Sequence, residues 1–195
     1  HLVGEIDKNI GRYRIGFGHQ RVAIIDLTDR GYQPMLNDDK KISLIFNGEI
    51  FNYIELKAEL IKNGFKFNSD SDTEVLLKSY EFYGDNFIEY LNGDFAFAIH
   101  DENKNKTIIA RDRLGLKPLY YLLMDDTFIF ASEIKALFQF PDVSKQPNYD
   151  VLYRYAGVHY RYVDGKTDTF FKDIHQVKAG HVVIIENGKM NIRQY

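Results

Sequence analysis

Cysteine and tryptophan are missing from this chain of 195 residues, and proline occurs only four times. Without cysteine there is no disulfide and no thiolate metal site. No apolar run approaches the roughly 18 residues that a membrane-spanning helix needs, and no stretch has the layout of a signal peptide. Neither sign of charge dominates: 25 Lys and Arg stand against 28 Asp and Glu, interspersed along the whole length. The net charge of −3 leaves no electrostatic footprint for nucleic acid and no polybasic patch for a membrane. The six histidines are scattered and form no short helical pair, so no metal site is expected. A cytoplasmic location is the default expectation.

Aromatic side chains are abundant, with 14 Tyr and 15 Phe. Large rings fill thick cores between layers, and a chain of this length buries about 70% of its unfolded surface as one domain. Hydrophobic periodicity predicts strands at 13–18, 22–26 and 42–46, then a helix opening at Asn52 and closing at Asn63-Gly64. Glu55 stands three residues after Asn52, and Glu74 three after Ser71, so both helix starts read as capping boxes. The Ser71 helix is expected to stop at Gly84, with a shorter one at 85–91. Period 2 returns at 95–100, where Phe95, Phe97 and Ile99 alternate with Ala96, Ala98 and His100. Further strands are expected at 106–111, 118–123 and 127–131, helices at 133–139 and 149–157, and a closing hairpin across Asn187-Gly188. Strand sets separated by helix groups give an α+β layered domain.

The stretch "FNGEIFNYIEL", 46–56, carries a second Asn-Gly pair with a carboxylate directly after it. As a dipeptide it is a turn signal. In combination with Arg21 and Asp72 it also suits an α-amino acid. A guanidinium pairs with a carboxylate bidentately, and Glu49 and Asp72 could receive an ammonium. Asn47 and the Gly48 N–H could face an oxyanion developing at a side-chain amide. Each residue has a plainer reading: Arg21 as a strand-edge charge, Asp72 as an acid favouring a helix N-terminus.

The motifs "FNGEIFNY", "SDTEVLL", "GDFAFAIHD", "RDRLGLKPLYY" and "FASEIKAL" occur in this order. Together they resemble the glutamine-hydrolysing domain of asparagine synthetases, a class II glutamine amidotransferase of the N-terminal-nucleophile hydrolase fold. "GHQRVAIIDLTDRGYQPM" and "HQVKAGHVVIIENGKMNIRQY" extend the resemblance from about Gly16 to Tyr195. Glu49 followed by Ile-Phe-Asn-Tyr is similar to asparagine synthetase rather than to the hexosamine-forming or phosphoribosylamine-forming branches.

The resemblance implies an αββα four-layer sandwich of two antiparallel sheets flanked by helices. It implies that Arg21 holds the glutamine carboxylate, with Val22, Ile24 and Ile25 lining the pocket. Asn47 and Gly48 would form the oxyanion hole, and Glu49 and Asp72 would anchor the substrate amino group. The two motifs "RDRLGLKPLYY" and "FASEIKAL" are expected to be mainly structural.

One departure is large. The family's nucleophile is an N-terminal cysteine with its own α-amine as base, and this chain has no cysteine. The expectation is an N-terminally incomplete domain over 1–195, lacking the family's first strand and helix and inactive alone. A non-catalytic remnant with an interaction role, or a relative such as a β-lactam-forming synthetase, are the alternatives. No Ser-Gly-Gly-x-Asp-Ser-like loop occurs, so ATP and Mg2+ are expected only in a C-terminal synthetase domain outside this chain, and no cofactor in this one. The expected partners are L-glutamine, that synthetase domain and a second copy in a homodimer.

Overall fold

The computed structural model describes residues 2–10, 13–21, 25, 26, 28–158 and 167–195, with backbone alone for 2–10, 13, 21 and 158. In chain order the elements begin with β1 (Leu2–Ile10), β2 (Tyr13–Arg21), β3 (Met35–Leu36) and β4 (Ile42–Ile50). Two helices follow, α1 (Tyr53–Lys62) and α2 (Asp72–Tyr83), then a 3-10 segment at Gly84–Tyr90. The second half holds β5 (Gly93–Asp101), β6 (Lys106–Arg111), β7 (Tyr120–Met124) and β8 (Thr127–Ala131). It closes with α3 (Ile134–Leu137), α4 (Tyr149–Val158), β9 (His175–Gln176), β10 (His181–Glu186) and β11 (Lys189–Gln194).

Six strands form one sheet in the order β11-β10-β6-β5-β4-β3, and three form a second in the order β8-β7-β9. Every pairing is antiparallel. Period-2 alternation sorts the large sheet onto two cores. Phe95, Phe97 and Ile99 of β5 join Leu44, Phe46, Leu56, Leu76 and Tyr80 beneath α1 and α2. Ala96 and Ala98 face the other way and meet Tyr121, Leu119 and Phe17 between the sheets. Small side chains on that face leave room for the rings of the facing layer. Behind the small sheet, Leu122 packs on Leu137 of α3, with Phe138 and Phe171 beside them. The result is the four-layer α+β sandwich expected from the sequence.

Several local expectations change. Leu2–Ile10 forms a strand that periodicity did not single out, paired along its whole length with β2. Of the strand expected at 22–26, residues 22–24 lie outside the described residues, and Ile25 and Asp26 are not in a strand. Asn52 does not cap α1 with its side chain. Its amide instead bonds the Tyr90 carbonyl at 3.0 Å and accepts from the Asn92 N–H at 2.9 Å, tying α1 to the start of β5. Ser71 does cap α2, accepting from the Thr73 N–H at 3.1 Å. Glu74, however, turns away to the Asn68 and Ser69 N–H groups and the Ser69 hydroxyl, because that preceding loop presents more donors than the cap does.

Two other readings match. Asn187 and Gly188 have φ of 51° and 78°, the positive values a type I′ hairpin demands. In "RDRLGLKPLYY" the buried Asp112 carboxylate accepts from the N–H groups of Leu114, Leu116 and Lys117 at 3.1, 2.9 and 2.9 Å. The Arg111 guanidinium donates to the carbonyls of Gly115, Lys117 and Val177, each at 2.7 Å. This pair fixes the loop between the sheets.

Candidate functional site

Asn47-Gly48-Glu49 is not a turn. β4 runs on through Ile50, with Asn47 opposite Ala96, Gly48 opposite Phe95 and Glu49 opposite Asp94. Gly48 is required for a different reason: a Cβ there would overlap the Asp94 carbonyl oxygen, and one on Gly93 would overlap the Glu49 carbonyl. The two backbones approach more closely than side chains allow. Alternation then places Ile45, Asn47 and Glu49 on the face turned toward the second sheet.

That face borders a cleft of about 1950 Å³ between the layers, and Asn47, Gly48, Glu49, Asp72, Thr73 and Ile25 are among the residues that line it. The first turn of α2 reaches the same spot. Asp72 is buried, and its carboxylate accepts the Ile50 N–H at 3.0 Å. Burial pushes the Asp72 carboxyl above its ordinary 3.8, the N–H bonds of Ile50 and Thr73 oppose the shift, and the Glu49 charge adds to it. Glu49 is exposed and also lines the cleft. Two acids therefore converge where a cation would relieve both.

Two supporting residues were not foreseen. Gln33 is buried and pairs with Phe46 as a strand would, its Oε1 accepting the Phe46 N–H at 2.6 Å and its Nε2 donating to the Phe46 carbonyl at 3.1 Å. The same Nε2 lies 3.5 Å from the Thr73 hydroxyl, clasping β4 to the α2 N-terminus. β3 pairs only with Ser43 and Leu44, so Gln33 continues the ladder where that strand has ended. Ser132, in "FASEIKAL", accepts from the Asn47 amide nitrogen at 3.3 Å and so orients that side chain. A lone Gln or Ser has no sequence signal for such work.

Residues 7–195 match the glutamine amidotransferase domain family. This chain belongs to it. The amidotransferase domain is 37% identical over 195 residues to the glutamine-hydrolyzing asparagine synthetase 3 of Bacillus subtilis, covering 98% of the chain and 31% of that protein. It is 42% identical to asparagine synthetase 2 of the same organism, over 88% of the chain and 23% of that protein. Amidase chry2 of Gibberella zeae is 37% identical over 88% of the chain and 24% of its own length. The chain thus spans about a third or less of these relatives. Among solved structures, the glutamine phosphoribosylpyrophosphate amidotransferase of Bacillus subtilis superposes with a TM-score of 0.63 at 26% identity, covering 92% of the chain and 34% of that one. Class II amidotransferases of this fold are thus neighbours in sequence and in structure.

Within the amidotransferase domain, Asn47, Gly48, Glu49, Asp72 and Ile25 all line the cleft. Arg21 is the last residue of β2, opposite Leu2, and is described by its backbone alone. Val22 and Ile24 lie outside the described residues. Among the described residues no group of three or more His, Cys, Asp or Glu could hold a metal ion, and no helix is long and apolar enough to cross a membrane.

Proposed function

We propose that the Asn47–Asp72 end of the cleft binds L-glutamine for hydrolysis of its side-chain amide. The observation that carries this reading is the convergence of Glu49 with the buried Asp72 carboxylate, beside the Asn47 amide. An ammonium seated between the two acids offsets their repulsion and the desolvation of Asp72. By resemblance to the family, we assign the α-carboxylate to Arg21 and the pocket lining to Val22, Ile24 and Ile25. The side-chain amide then lies against Asn47 and the Gly48 N–H, donors suited to an oxyanion.

Hydrolysis requires a nucleophile. None of the 195 residues is a cysteine, so the attacking thiolate is assigned to a group outside them. It adds to the amide carbon, the oxyanion collapses with departure of ammonia, and water releases glutamate from the thioester. The ammonia passes to an ATP-dependent synthetase domain in the cytoplasm that makes asparagine from aspartate. ATP and Mg2+ are assigned to that domain, the one that would activate aspartate.

The test uses the protein with its cysteine and synthetase partner. Glu49→Gln and Arg21→Lys each remove a charge-assisted contact of about 1.5–3 kcal/mol, so glutamine kcat/KM should fall roughly 10–150-fold. Ammonia-dependent synthesis should stay unchanged, because ammonia bypasses the cleft. Equal glutamine kinetics in parent and variants would sink the assignment.

A further inference from the structure

The motif "FASEIKAL", 130–137, joins the end of β8 to α3. Both sides of the joint are anchored. Ala131 pairs with Tyr120 of β7, and Leu137 is buried behind the small sheet with Ile134 packed beside it. Ser132, between them, is half-buried and borders the cleft. A strand on one side and a packed helix on the other therefore set its position, and its hydroxyl reaches across the layers to Asn47.

The neighbours of Asn47 on its own sheet do little to hold its amide. Ala96, opposite it on β5, offers only a methyl. Along the same face of β4, Ile45 is apolar, and Glu49, about 7 Å away on the other side, is a competing acceptor rather than a support. The last torsion of an asparagine side chain is broad, so an amide without a partner turns through a wide range. An amide nitrogen carries two hydrogens. The Asn47 Nδ2 donates one to the Ser132 Oγ at 3.3 Å, across 85 positions of the chain, and this bond fixes the plane of the amide. The second hydrogen lies in that plane and is left to an incoming oxygen. A donor stabilises a transition state best when it is oriented before the charge develops.

We infer that Ser132 is a positioning residue for amide hydrolysis. It touches no reacting atom and acts through Asn47, holding one amide hydrogen so that the other meets the oxyanion of the glutamine side chain. The inference rests on the glutamine reading of the cleft, and it gives "FASEIKAL" a part in the chemistry as well as in the packing.

The test measures glutamine hydrolysis by the full protein with its cysteine. Ser132→Ala should lower kcat roughly 3–10-fold, the worth of one neutral hydrogen bond. KM for glutamine should stay unchanged, because the groups assigned to its α-carbon are elsewhere. Ser132→Thr keeps the hydroxyl and should restore the parental kcat. Asn47→Ala removes the donor itself and should cost roughly 100-fold or more. In that background Ser132→Ala should cost nothing further, since a residue that acts only through Asn47 has nothing left to position. A full additional loss in the double variant would overturn the inference, and so would a Ser132→Ala enzyme with parental kcat or with a loss confined to KM. All three of these results leave the glutamine reading standing. If Asn47→Ala itself hydrolysed glutamine at the parental rate, the oxyanion assignment of Asn47 would fall and this inference with it.

Discussion

The Asp72 carboxylate holds the Ile50 backbone N–H at 3.0 Å, so the first turn of α2 is locked to the strand position next to Glu49. One side chain thereby serves the fold and, on the proposed reading, the substrate. The two services can be separated.

Asp72→Asn keeps an oxygen for the Ile50 N–H but loses the charge. Its stability to urea should stay within about 1 kcal/mol of the parent, while glutamine binding falls at least tenfold. Asp72→Ala strands a buried donor and should cost about 1–3 kcal/mol of stability as well. If both variants lost stability equally, the acceptor role of Asp72 would be refuted.

The pH dependence has a definite sign. Burial raises the Asp72 carboxyl above 3.8, so the folded state favours its protonated form. That stabilisation is complete below the unfolded value and is lost as pH rises through the folded value. The Asn variant should therefore gain on the parent as pH rises from about 4 through the raised folded-state value. Melting temperatures across that range test this, and a constant difference would count against it. Binding an ammonium favours the ionised carboxyl, so glutamine uptake near the acid end should release protons. Calorimetry in buffers of different ionisation enthalpy reads that release directly.

Glycine is demanded at 48 by approach of backbones rather than by a turn. Gly48→Ala forces a methyl into the Asp94 carbonyl, and should cost about 3 kcal/mol or prevent folding. Gly18→Ala is the control, since nothing lies within 4 Å of a Cβ there, and it should stay within about 1 kcal/mol either way. Similar losses at both positions would remove the close-approach explanation.

Asp112→Ala leaves the N–H groups of Leu114, Leu116 and Lys117 without their acceptor. The expected loss is roughly 3 kcal/mol or more in urea titrations. Asp112→Asn, which keeps part of the acceptor set, should lose less. Equal losses would mean that the carboxylate charge, not its geometry, holds the loop.

Elements whose causes are local were readable from the residues. The 2-residue period of β5 separates Phe95 and Phe97 from Ala96 and Ala98, and the structure buries them in different cores. Asn187-Gly188 carries its own backbone preference, and Ser71 caps α2 through the neighbouring Thr73 N–H. Motif order likewise named the family and brought Asn47, Gly48, Glu49 and Asp72 into view. What tertiary structure decided depends on partners far along the chain. The Asn47 amide meets Ser132 across 85 positions, and Gln33 meets Phe46 and Thr73 across 13 and 40. Asn52 turned from its expected cap to Tyr90 and Asn92, 38 and 40 residues on. Gly48 was read as half of a turn signal until the register of β4 on β5 placed it against Asp94. A propensity describes what a residue prefers among its near neighbours; strand register and layer packing choose which distant backbone it meets, and a buried polar group bonds whatever that choice brings within reach.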